Sequence, residues 1–74
     1  MKAEQMFKEL GYKKCVSIPG YTDGSFEYIK ENEYYVAFIR YDKSYYSNKF
    51  IGIELHKAIT QQMKDLGWLD DWRE

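Results

Sequence analysis

The apolar residues of this chain change period twice, and that switch constrains the fold more than any single motif. Ala3, Met6, Phe7 and Leu10 recur at i, i+3, i+4 and i+7, which lays one apolar stripe along a helix. Gly11 follows, the residue type best suited to leave a helix in a left-handed conformation. From there the period falls to two: Tyr12, Lys14, Val16 and Ile18 alternate with Lys13, Cys15 and Ser17, as in a strand. The helical period returns with Leu55, Ala58, Ile59, Met63 and Leu66, and Gly67 again stands in the stop position.

The middle of the chain is punctuated as a meander. Pro19-Gly20 and Asp23-Gly24 mark residues 19–25 as a loop. Residues 26–30 read as a strand closed by the polar Glu31-Asn32-Glu33. Residues 34–41 are aromatic and β-branched with apolar residues facing both ways, which suits a central strand. Asp42-Lys43-Ser44 turns the chain into a more polar strand over 45–51, whose Ser47, Asn48 and Lys49 suit a sheet edge. The predicted elements are a helix over 2–10, strands over 12–18, 26–30, 34–41 and 45–51, a helix over 53–66 and a tail over 67–74. Short connections favour antiparallel neighbours, because a parallel crossover needs about a dozen residues or more. The expected fold class is therefore α+β: one small domain of two layers, ordered α-β-β-β-β-α, with an antiparallel four-strand meander and both helices on one face. Periodicity alone leaves open whether Val36 and Phe38 or Ala37 and Ile39 meet the helices.

Composition narrows the function classes. The 74 residues carry 11 basic and 12 acidic side chains, a net charge of −1, and the two halves are almost equally balanced. No basic block is present to neutralise a phosphate backbone, and the chain is not acidic enough to imitate one. No apolar run approaches the ~18 to 20 residues that span a bilayer, so no membrane role is expected. Residues 1–10 lack the apolar core of a signal peptide, and the single Cys15 forms no intrachain disulfide; both point to a cytoplasmic chain. A domain this short has little core to rely on, so its four Phe, eight Tyr and two Trp must either fill that core or be covered by a partner.

Catalytic and metal chemistry find little support in the pattern. His56 has no second His nearby and Cys15 is remote in sequence, which does not make a zinc site. Asp23-Gly24-Ser25 lacks the regular ligand series of a calcium loop. Cys15 and His56 are formally a nucleophile and a base, but nothing marks a third, orienting group. Glu27, Glu31 and Glu33, or Asp70 and Asp71, supply neighbouring carboxylates whose simplest role is solvation. Gly20, Gly24 and Gly52 are isolated, so no glycine-rich phosphate loop is present. No enzyme, no cofactor and no metal is expected.

Both ends of the chain show a family resemblance. The opening Ala3-Glu4-Gln5-Met6-Phe7-Lys8-Glu9-Leu10-Gly11-Tyr12-Lys13-Lys14 resembles the start of small uncharacterised proteins of phages and prophages of Gram-positive bacteria. The closing Glu54-Leu55-His56-Lys57-Ala58-Ile59-Thr60-Gln61-Gln62-Met63-Lys64-Asp65-Leu66-Gly67-Trp68 is similar to their last helix. Together these cover about a third of the chain. The resemblance implies a cytoplasmic, phage-type, single-domain context and a protein that acts by binding a host component; it transfers no site residue.

Aromatic placement then supplies the candidate site. A sheet covered by helices on one face leaves the other to water, and exposed Tyr or Trp on that face marks an interaction surface. Tyr35, Tyr41, Tyr45 and Tyr46, with Trp72 of the acidic tail, are the candidate partner-binding residues. The expected function is a non-enzymatic protein-binding module, with inhibition or modulation of a bacterial host factor as one form. The alternatives are a nucleic-acid accessory protein that stacks bases on an aromatic sheet face, and a self-assembling structural protein or homodimer.

Overall fold

A computed structural model describes residues 1–69 of the chain. Its elements are α1 (Ala3–Glu9), β1 (Lys13–Cys15), β2 (Phe26–Lys30), β3 (Tyr34–Ile39), β4 (Ser44–Ser47) and α2 (Ile53–Asp65). The strands form one sheet in the order β1-β2-β3-β4 with every neighbouring pair antiparallel, and the two helices pack together on one of its faces.

Both helices stop in the same way. Gly11 and Gly67 have φ of 93° and 77°, a left-handed conformation in which glycine avoids the Cβ penalty. The Gly11 N–H donates to the Lys8 carbonyl and the Tyr12 N–H to Phe7; the Gly67 N–H donates to Lys64 and the Trp68 N–H to Met63. These paired bonds satisfy the last carbonyls and turn the chain out of each helix. The residue after each glycine then folds back: the Tyr12 ring meets Phe7 edge-on at 5.7 Å, and Trp68 packs against the core.

Strand register decides which side chains are buried. Phe26 lies opposite Phe38 and Tyr28 opposite Val36, and all four are buried in the cluster that includes Phe7, Leu55, Ala58 and Ile59. Val36 and Phe38 therefore meet the helices, while Ala37 and Ile39 belong to the other face. Phe7 lies flat on Tyr28, with ring centroids 3.9 Å apart, and edge-on to Phe38. The Tyr28 hydroxyl donates to Oε1 of Gln62 at 2.6 Å, a buried bond that ties the sheet to α2. The two helices are tied as well, since the Ala3 N–H donates to Oδ2 of Asp65 at 2.9 Å.

Three strands are shorter than their sequence patterns. The strand expected over 12–18 is only Lys13–Cys15: Cys15 pairs with Glu27, the register would set Val16 opposite Phe26 at the very end of β2, and Ser17 and Ile18 lie beyond it. The strand expected over 34–41 ends at Ile39, because the Arg40 N–H leaves the ladder for the Ser25 hydroxyl. The strand expected over 45–51 is Ser44–Ser47. Beyond it Asn48 acts as a staple: its Oδ1 accepts from the Tyr35 N–H and its Nδ2 donates to the Glu33 carbonyl. A side chain thus takes over bonds that another strand residue would make. Among the described residues no helix is long and apolar enough to cross a membrane.

Candidate interaction surface

The sheet face turned away from the helices follows from the same alternation. Opposite the buried set stand Cys15, Glu27, Ile29, Tyr35, Ala37, Ile39 and Tyr46. Among the described residues no element covers this face, yet most of these residues are only partly exposed, because they shield one another. Ala37 is buried between its neighbours. Tyr35 and Tyr46 meet across β3 and β4 with ring centroids 5.8 Å apart and planes tilted by 44°. Shielding of its hydroxyl, with the Tyr46 phenol beside it, raises the Tyr35 pKa above the ordinary value.

The candidate tyrosines do not form one patch. Tyr35 and Tyr46 share the open face. Tyr45 is on the helix side, opposite Phe38 in register, with ring centroids 6.2 Å apart. The reason is the strand period: adjacent residues 45 and 46 point to opposite faces, so both cannot join one surface. Tyr41 belongs to the β3–β4 turn and is highly exposed, away from the ladder. Trp72 lies outside the described residues.

The residues considered for chemistry are dispersed. Cys15 is half-buried on the open face, whereas His56 is exposed on α2, in the layer on the other side of the sheet. Glu27 is in mid-strand, while Glu31 and Glu33 project from the β2–β3 turn. Asp23 is occupied structurally: its Oδ1 accepts from both the N–H and the hydroxyl of Ser25, and these bonds hold its pKa below the ordinary value. Ser25 in turn accepts from the Arg40 N–H, so this turn pins the long β1–β2 loop to the end of β3.

One exposed apolar segment escaped the sequence pattern. Phe50, Ile51 and Ile53 surround the start of α2, and Phe50 is 98% exposed. Period-two alternation placed Phe50 and Ile51 in a strand, where they would be half covered. The signal available in sequence was Ser47-Asn48, two residue types that capture backbone groups and end strands. Compared with known proteins, the chain matches no family model, no curated protein and no solved structure.

Proposed function

We propose that the chain is a non-enzymatic protein-binding module of phage or prophage type, which acts in the cytoplasm on a bacterial host protein. The observation that carries this reading is the open sheet face, where Tyr35 and Tyr46 cap a strip of Ile29, Ala37 and Ile39 with no helix above them among the described residues. Tyrosine combines apolar area with a hydroxyl, and contact residues of this type dominate binding energy at many interfaces. Charge on the face is mixed, with Lys13 and Glu27 both present, which favours a protein over a phosphate backbone.

The test is a stoichiometric pull-down from Gram-positive bacterial lysate, comparing the native chain with a Tyr35→Ser/Tyr46→Ser double variant. The expected result is a protein band that survives moderate salt and is lost in the variant. Equal capture by both chains removes the sheet-face assignment. Salt-sensitive recovery of nucleic acid without a protein band replaces the reading with base stacking on the same tyrosines.

A further inference from the structure

The two edges of the sheet differ in chemistry. β1 carries Lys13 and Lys14 along one edge, and charged side chains of this kind discourage a further strand from pairing there. β4 forms the other edge with Ser44-Tyr45-Tyr46-Ser47, which holds neither a charge nor a proline. Its free backbone groups follow from the ladder. The Asn48 N–H donates to the Tyr35 carbonyl, so residues 48 and 35 form a bonded pair. Bonded and non-bonded pairs alternate in an antiparallel ladder, so Tyr46 and Ser44 turn their backbone groups to Ala37 and Ile39. The N–H and C=O groups of Tyr45 and Ser47 therefore point outward, where no strand meets them among the described residues.

Exposed aromatic surface flanks this edge at both ends. Tyr41 precedes β4 and is 80% exposed, and Phe50 follows it at 98%; among the described residues these are the two most exposed large apolar side chains. Phe50 shares a shallow hollow with Tyr46 and Ser47, which places it at the edge itself. Tyr45 and Tyr46 are exposed as well, one on each side of the strand. At roughly 200 Å² per aromatic side chain, these four leave on the order of 500 Å² in water on each copy, or about 1,000 Å² on two. A specific protein interface begins at that size.

We propose that β4 is a dimerisation edge, which pairs antiparallel with β4 of a second copy about a two-fold axis at Tyr46. The axis is perpendicular to the sheet, so both helix layers stay on one side and the two sheets join into one. Tyr45 then stands opposite Ser47 of the second copy, and Ser47 opposite its Tyr45, each pair closing two backbone bonds. Because the strands run in opposite directions, the Tyr41 end of one copy meets the Phe50 end of the other, and the same contact forms twice. A strand from an unrelated protein has to bring its own match for both rings, whereas a second copy supplies both by symmetry. Lys43 and Lys49 approach each other at the strand ends, and Asp42 beside them offsets the repulsion. This pairing uses the edge of the sheet, so it stands whether or not the open face captures a host protein.

The experiment is sedimentation equilibrium of the purified full chain from roughly 1 μM to 1 mM, with amide spectra across the same range. The expected result is a mass that rises from one chain to two and stops there. The Tyr45 and Ser47 amides shift with concentration, while those of Lys13 to Cys15 do not. Tyr41→Ser/Phe50→Ser removes only exposed side chains and weakens association roughly tenfold or more. The same spectra show that the variant retains its fold. Register is read by cross-linking with oxidised glutathione in a Cys15→Ser background. Tyr46→Cys links two chains, because facing residues of a non-bonded pair have Cα atoms about 4.5 Å apart, within disulfide reach. Ser44→Cys faces Asn48 of the second copy and does not link. A mass of one chain at every concentration overturns the proposal, as does growth beyond two chains. Native association of the Tyr41/Phe50 variant, or linking at Ser44→Cys rather than Tyr46→Cys, overturns it equally.

Discussion

Tyr28 and Tyr12 both bury their rings against Phe7, but among the described residues only Tyr28 has a partner for its hydroxyl. Their removal therefore has opposite consequences. Tyr28→Phe leaves the Gln62 carbonyl buried and unmet, and it should cost about 1–3 kcal/mol of unfolding free energy in a urea titration. Tyr12→Phe removes a group that bonds to nothing among the described residues and should leave the urea midpoint unchanged or raise it. A second residue-scale effect concerns acid. The Ala3 N–H, followed by the Gln61 amide, holds the Asp65 carboxyl below its ordinary pKa of 3.8. A depressed carboxylate pKa stabilises the fold above the unfolded-state value, and that contribution disappears as pH falls through the folded-state value. Stability should thus decline below about pH 4, and Asp65→Asn should be less stable near neutrality with a shallower acid decline; urea midpoints against pH show both. The Tyr28–Gln62 bond and the Ala3–Asp65 bond link residues far apart in sequence, so neither was readable from spacing.

At the scale of elements, turn geometry explains where sequence reading succeeded and where it overran. The β2–β3 hairpin was legible because Glu31-Asn32-Glu33 is polar between two apolar runs, and Glu31 and Asn32 do adopt positive φ, 57° and 54°. The β3–β4 turn was legible for the same reason, and it carries a cost. Lys43 is exposed with φ of 56°, a left-handed conformation that a side chain resists. Lys43→Gly should relieve that strain by about 1–2 kcal/mol, offset by about 0.5–1 kcal/mol of extra unfolded-state entropy. The expected net gain is about 0.5 kcal/mol, visible as a small rise in Tm. Strand ends were less legible. A strand continues only while a neighbour offers bonds, and the end of β2, the Ser25 hydroxyl and the Asn48 side chain each withdraw them. Alternation reports which way side chains point, not whether the backbone is paired.

At the scale of the molecule, two helices on one face of a four-strand sheet leave the second face without a layer among the described residues. A domain of 74 residues has little core to spare, so its open face must be tolerated by the monomer or covered by something else. Tyr35→Ser/Tyr46→Ser leaves the helix-side core untouched and should lower stability by no more than about 1–2 kcal/mol, measured by thermal unfolding. The same variant should weaken a captured partner by tenfold or more, the scale of losing a dominant contact of about 1.4 kcal/mol or above. A loss of folding comparable to that of a Phe7 or Phe38 variant would instead make the pair structural.

The sequence by itself determined the kind and order of the elements, because hydrophobic period, glycine stops and turn residues are local properties that act within a few residues. It also determined that Tyr35 and Tyr45 cannot be told apart by composition, only by face. The tertiary structure decided which face each took, where the strands ended, and that Tyr12, Lys30, Lys49 and the first turn of α2 border one cleft. Those outcomes depend on register and on packing between residues more than forty positions apart, and no local period encodes distances of that kind.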